Sequence, residues 1–409
     1  MTAASPLLPV AQALVRVLAS APQPLAAQTV PLAEARGRTL AEDLTALRTQ
    51  PPFNASSMDG YALRVADLAT LPAQLKVIGT SSAGHGCVGA VGPGEAVRIF
   101  TGAPVPQGAD TVVIQENTTA DGDQVTILEG EALGRNIRMA GLDFAQGDVL
   151  LTRGTLLGPC ELALAAAMNH ATLPVTRRPR IALLATGDEL VKPGEALGPD
   201  QIVTSNTYAV GAYAQAAGAE VIDLGIAGDT FAAIEAGIRA ARDAGADVLV
   251  TLGGASVGDH DLVQTALANE GMELGFWKIA MRPGKPLMHG RIGDMRILGL
   301  PGNPVSAIVC GVLFLVPLIR ALAGDPQAGA DQSEAAVLGC DLATNDSRED
   351  YLRAALEEGQ GLPIATPFGR QDSSMLRVLA RSHCLVIRPP RAEAAKAGDP
   401  CRIIRLTPS

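Results

Sequence analysis

The chemistry in this chain is carried by three carboxylate-and-glycine strings and one cationic loop. Thr186-Gly187-Asp188-Glu189, Gly228-Asp229 and Gly253-Gly254-Ala255-Ser256-Val257-Gly258-Asp259-His260-Asp261 each follow an apolar run. Glycines let a backbone approach a ligand, and the N–H groups they free can cradle phosphate. Carboxylates beside them suit Mg²⁺, which takes one or two carboxylates plus substrate phosphate oxygens. A single Gly-Asp after a strand is an ordinary turn or helix cap. Three at one sheet edge favour a phosphate-and-metal site.

The cations follow. Phe276-Trp277-Lys278-Ile279-Ala280-Met281-Arg282-Pro283-Gly284-Lys285-Pro286 puts Lys278, Arg282 and Lys285 within eight residues of an acidic chain. Proline fixes the loop, so ammonium and guanidinium groups can be set in place for an anion. Gly299-Leu300-Pro301-Gly302-Asn303-Pro304-Val305-Ser306 then opens a helix, with Asn303 at the N-cap and Pro304 at the first turn. Such a terminus collects anions, although capping alone also accounts for both residues. Two rigid loops, Pro51–Ala62 and Ile99–Asp110, and the polar residues Arg348, Tyr351, Arg353 and Arg370–Ser374 read on composition as ordered surface.

These groups need elements to hold them. Ile181–Ala185, Val221–Ile226 and Asp247–Leu252 are apolar runs alternating with helical text at 209–216 and Phe231–Ala244. That alternation predicts a doubly wound parallel sheet covered on both faces, with ligands outside the carboxyl ends of its strands. Residues from about 50 to 155 are short strands and turns: Leu75–Ile78, Ala96–Phe100, Thr111–Gln115 and Gln124–Leu128. They predict a β-rich module between two helical segments, near 7–18 and 162–168, that pack together. Gly324–Gln332 reads as a linker, and the strand-and-turn text after it as a small β-barrel or sandwich.

Composition excludes several classes. The chain has 409 residues, 47% hydrophobic and 18% charged, enough for several cores and not a disordered protein. Net charge is -10 and aromatics are 3%, against broad nucleic-acid or anionic-membrane binding. The longest apolar run, Ala307 to Ile319, falls short of the ~20 residues of a membrane span. The N-terminus lacks a basic n-region, and six cysteines without a CxxC pair read as reduced thiols, so a cytoplasmic location is expected. Gly84-His85-Gly86-Cys87-Val88-Gly89 matches a dinucleotide fingerprint, but Gly92, Pro93 and Gly94 follow where a helix should open. The five histidines have no ligand spacing.

Taken in order, Ser57-Met58-Asp59-Gly60-Tyr61-Ala62, Phe100-Thr101-Gly102, Thr186-Gly187-Asp188-Glu189-Leu190, Gly253–Gly258, Pro283-Gly284-Lys285-Pro286 and Leu300-Pro301-Gly302-Asn303-Pro304 resemble one family over essentially the whole chain. It is the molybdopterin molybdenumtransferases, the MoeA proteins and the E domain of gephyrin. The resemblance implies an α/β multidomain chain: a discontinuous helical segment (1–48 with 141–178), a β-rich inserted lobe (49–140), a doubly wound molybdopterin-binding domain (179–323) and a C-terminal β-barrel (333–409). It implies a homodimer with the cleft between subunits, the β-rich lobe of one facing the sheet domain of the other. The implied reaction inserts molybdate into adenylylated molybdopterin, with Mg²⁺-dependent release of AMP. Asp59, Thr101, Glu189, Asp229, Asp261, Lys278 and Arg282 would then be catalytic. Gly253, Gly254, Ser256, Lys285, Pro301, Asn303, Arg348 and Ser373 would bind substrate or anion, and Glu189, Asp229, Asp259 and Asp261 would hold Mg²⁺. Arg282 stands where many relatives carry Lys. Asp261 is favoured over Asp259 by its spacing to Lys278, and Ser373 over Ser374; both pairs stay open, as does molybdenum against tungsten. The rival readings are the ATP-dependent molybdopterin adenylyltransferase, run on a lone sheet domain by MogA-type relatives, and a non-catalytic scaffold. An adenylyltransferase is also an expected partner.

Overall fold

The computed structural model describes residues 7–254, 262–359 and 361–406. The chain divides into two compact units: Met1–Gln28, Gly37–Ala41 and Pro174–Ser409 form one, and Thr29–Arg36 with Glu42–Leu173 the other.

The larger unit is built on a six-stranded sheet in the order 220–227, 180–186, 248–252, 295–300, 288–292, 273–277. The first four strands are mutually parallel, as the uninterrupted apolar runs require. Beyond them, Met288–Ile292 runs antiparallel to Met295–Leu300, and Glu273–Trp277 antiparallel to it in turn. Side chains alternate between two cores. Ile181, Leu183, Val248 and Val250 join Val210, Ala214, Val309 and Phe314 on one face, while Ala182, Leu184 and Leu249 join Ile234, Ile238 and Val263 on the other.

Val10, Ala13 and Val17 of helix Val10–Ala19 are buried in the first of those cores, with Leu318, Ile319 and Leu322. The helical segments expected to pack together therefore lie in different units, since Pro159–Ala167 belongs to the smaller one. An amphipathic stripe states that a helix buries one face; it does not name the surface that covers it.

The apolar run after Pro304 is a 19-residue helix, Pro304–Leu322, with a π-helical turn at Gly311–Leu315 just before Pro317. Proline has no N–H for the carbonyl four residues back, and the widened turn absorbs the missing bond. Among the described residues it is the one helix long and apolar enough to cross a membrane, and 78% of that window is buried inside the protein. Five strands then close into a ring, 349–357, 364–367, 334–338, 400–405 and 384–388, around Ala336, Leu338, Ala354, Val386 and Ile403. Met281–Arg282 pairs onto this barrel in parallel with Glu349–Asp350, so the cationic loop is stitched to the barrel by main-chain bonds.

The smaller unit holds a second six-stranded sheet, in the order 111–114, 60–63, 95–99, 73–81, 124–127, 118–121. Its pairs are antiparallel except 73–81 with 95–99. The glycine-rich decoy is a tight turn, Ser82 and His85 exchanging N–H···O bonds of 2.9 Å. All six cysteines are free thiols.

Candidate active site

Glycine geometry shapes the carboxyl edge of the parallel strands. Gly253 and Gly254 have φ of +110° and +66°. A Cβ on Gly253 would lie 2.6 Å from the Thr186 carbonyl oxygen, and one on Gly254 2.1 Å from Val263 Cγ2. Pro301-Gly302-Asn303 closes on the same point: Gly253 N–H donates to the Leu300 carbonyl at 3.3 Å, and Asn206 Nδ2 donates to the Gly302 carbonyl at 2.7 Å. Thr186 Oγ1, beside both glycines, is buried without a hydrogen-bond partner. A buried hydroxyl in that state is what a ligand atom would satisfy.

Asn303 occupies the N-cap position with Pro304 behind it, yet its side chain makes no capping bond. The Val305 N–H is satisfied instead by the Ser373 carbonyl at 3.0 Å. Capping therefore does not consume the Asn303 amide, which is exposed at the glycine edge.

The carboxylates brace one another. Asp188 N–H donates to Asp229 Oδ2 at 3.3 Å, and Asp229 N–H returns a bond to Asp188 Oδ1 at 3.0 Å. Asp188, Glu189 and Asp229 are exposed. A cleft of about 500 Å³ opens there, lined by Gly187, Asp188, Lys192, Glu195 and Gly228 among others. No group of three or more His, Cys, Asp or Glu that could hold a metal occurs among the described residues. Two braced carboxylates with free oxygens nonetheless fit Mg²⁺, which keeps waters and takes further oxygens from phosphate. Ser256, Asp259 and Asp261 lie outside the described residues.

The cationic loop separates its three charges. Lys278 has φ +71°, and its Nζ lies 3.8 Å from the centroid of the Trp277 ring. Its N–H donates to the Leu287 carbonyl at 3.0 Å, and Ile279 N–H to that of Lys285 at 2.9 Å. Neither Lys278 nor Lys285 has a carboxylate partner among the described residues. Arg282 differs. Its Nη1 bonds Asp346 Oδ2 at 3.1 Å, and its Nη2 bonds both Asp350 and, at 3.3 Å, Asn345 Oδ1. The bond to Asp350 raises its pKa above the usual arginine value. Arg348 also pairs with Asp346, at 2.8 Å, and its bonds drive that carboxyl down to about 2. The two arginines expected to meet the anion are thus paired with carboxylates of this chain.

Arg353 is bound within the barrel. It is fully buried on the barrel strand, its Nε donating to Gln371 Oε1 at 2.9 Å and its Nη1 to the Asp372 carbonyl at 2.6 Å. Its Nη2 has no partner. This guanidinium ties down the loop whose next residue is Ser373. Ser374 turns its hydroxyl to Asp372 Oδ1 at 2.6 Å, so of the two serines its side chain is the one already engaged.

The smaller unit carries its own constellation. Thr101 donates to Asp59 Oδ1 from both its backbone N–H and its hydroxyl, at 2.8 Å each. Those bonds, followed by the charge of Arg98, hold the Asp59 carboxyl below its ordinary range. Arg98 lies over the rings of Tyr61 and Phe100, and donates to the Gly60 carbonyl and to Gln115 Oε1. Gly60 has no room for a side chain: a Cβ would lie 1.9 Å from the Val113 carbonyl oxygen.

Comparison with known proteins sets these sites in one family. Residues 8–169 match the MoeA N-terminal region (domain I and II), 182–321 the probable molybdopterin binding domain, and 335–406 the MoeA C-terminal region (domain IV). The chain belongs to the MoeA family. Molybdopterin molybdenumtransferase of Haemophilus influenzae is 35% identical over 390 residues, 95% of this chain and 96% of that protein. Molybdopterin molybdenumtransferase 2 of Mycobacterium tuberculosis is 37% identical over 389 residues, 93% of this chain and 95% of its own. A solved MoeA structure from Pyrococcus horikoshii superposes with a TM-score of 0.84 at 29% identity, covering 99% of this chain and all of that one.

Within this MoeA chain, sequence reasoning passed over three residues. Asp188 lay inside a quoted motif, but its reciprocal bond to Asp229, 41 positions away, had no sequence signal. Arg353 reads as surface, the usual place of arginine, and only its bonds to Gln371 and Asp372 account for its burial. Trp277 enters the sequence reading only as a member of the cationic string.

Proposed function

We propose that this protein is an enzyme that transfers molybdenum from molybdate to adenylylated molybdopterin and releases AMP, the molybdenum insertase of cofactor biosynthesis. The observation that carries the reading is the presence in one chain of both constellations: an anion-poised glycine edge with Lys278, Lys285, Asp188 and Asp229, and the Asp59–Thr101 pair in a separate unit. A lone adenylyltransferase domain lacks the second unit. Full-length alignment with proteins named molybdopterin molybdenumtransferase supports the same step.

In this reading Lys278 and Lys285 bind the oxyanion and substrate phosphate as unpaired cations, while Arg282 pins their loop to the barrel through Asp346 and Asp350. Gly253, Gly254 and the Asn303 amide meet the pyrophosphate closely, because no Cβ or cap bond stands in the way. Asp188 and Asp229 would hold Mg²⁺, with Glu189 beside them; the ion supplies charge neutralisation at the bridging phosphates. Asp59, kept ionised by Thr101, accepts a hydrogen bond from the bound substrate. Water cleaves the phosphoanhydride, its oxygen adding to phosphorus as the bond to AMP breaks. The two constellations meet across a homodimer, subunit to subunit, and an adenylyltransferase hands on the substrate. A cytoplasmic location accords with free thiols.

Substrate choice tests the reading. Offered adenylylated molybdopterin and molybdate without ATP, the protein should release AMP; offered molybdopterin with ATP, it should leave both unchanged. Adenylylation of molybdopterin would assign it to the preceding step.

A further inference from the structure

Trp277 and Lys278 are neighbours in sequence that stack, and an extended strand does not permit this. Successive side chains of a strand leave opposite faces. Here strand Glu273–Trp277 ends, and Lys278 takes the left-handed φ of +71° that non-glycine residues avoid. That turn folds the ammonium back over the indole, 3.8 Å from its centroid. The backbone is held in this state by the bonds Lys278 N–H to Leu287 and Ile279 N–H to Lys285, so the strained residue is over-determined by its surroundings. The indole N–H does not explain the tryptophan: Nε1 is buried and has no partner. What the ring offers is its π face.

We propose that Trp277 is a positioning residue, whose ring holds the Lys278 ammonium in place for the substrate anion without neutralising it. A carboxylate would fix Lys278 equally well but cancel its charge, which is what Asp346 and Asp350 do to Arg282. An aromatic face fixes the cation and leaves its N–H donors free for an oxyanion. The inference rests on the reading of Lys278 as an anion-binding cation.

The chain contains one tryptophan, so biosynthetic replacement by ring-fluorinated tryptophans changes Trp277 and nothing else. Fluorine drains the π face while nearly keeping the ring's shape. The measurement is KM for molybdate and kcat for AMP release in the full-length protein, across an increasingly fluorinated series, with Trp277→Phe and Lys278→Ala beside it. The expected result is a graded rise in KM of roughly two- to fivefold across the series, with kcat and thermal midpoint unchanged and Trp277→Phe in between. A flat series with KM raised in Lys278→Ala overturns the role of Trp277 and leaves that of Lys278 standing. A flat series with Lys278→Ala also unchanged overturns both.

Discussion

Single side chains in this protein are set by their partners more than by their type. Arg282, Lys278 and Lys285 share one loop, yet the guanidinium is captured by Asp346 and Asp350 while neither ammonium group meets a carboxylate among the described residues. Sequence gives the residue types and their order; it does not reveal capture by a carboxylate 68 positions away. The same limit explains why composition reads Arg353 as surface although its guanidinium is buried against Gln371 and Asp372. Asp59 and Thr101 enter through the family resemblance alone, since composition reads both of their loops as ordered surface, and the bond between them is a finding of the fold. Their bond has a pH consequence. Since the Thr101 N–H and hydroxyl depress the Asp59 pKa, the ionised form persists as pH falls below the ordinary aspartate range. Thr101→Val removes the hydroxyl bond, and the acid limb of kcat/KM should move to higher pH; an unmoved limb would separate Asp59 ionisation from the reaction. Lys285→Ala should raise KM for molybdate about tenfold or more, as loss of a charge-assisted bond implies. Steady-state titration with molybdate measures it.

At the scale of elements, the strands were the most readable part. The apolar runs left little choice: Ile181–Ala185 extends by a residue at each end into the buried strand Arg180–Thr186, and Val221–Ile226 likewise into the half-buried edge strand Glu220–Ala227. The packing of Val10–Ala19 was not readable, since its apolar face suits more than one core. Nor was the capping of the Pro304 helix: its first free N–H is met from the barrel side by Ser373, a long-range bond that local rules cannot supply. The glycine edge is the element most exposed to substitution. Gly254→Ala forces a left-handed alanine and sets its Cβ against the buried Val263, so stability should drop by about 1–3 kcal/mol or more. Urea unfolding at neutral pH reads this directly, and an unchanged midpoint would show that the edge relaxes freely.

For the molecule as a whole, composition set broad limits and the ordered motifs set the family, while the assembly of cores came from the fold. One global property follows from a core residue. His289 is buried beside Phe276 and bonds the Ile297 carbonyl through Nδ1, and burial lowers its pKa below 6.5. The unfolded chain therefore takes up this proton more readily than the folded one. Stability from this site is present above pH 6.5 and is lost as pH falls through the unfolded value towards the folded one. The urea midpoint should fall between pH 7.5 and about 5.5, and His289→Gln should flatten part of that slope; equal slopes would remove His289 as the cause.

The decisive measurement is an anaerobic single turnover of the full-length protein with adenylylated molybdopterin, Mg²⁺ and molybdate. AMP release and reconstitution of a molybdenum apoenzyme are followed in the same samples. The expected result is AMP released only when molybdate is present, in step with active cofactor, and abolished in Asp229→Ala with the fold intact. AMP release that ignores molybdate, or no release at all, would contradict insertion as the function.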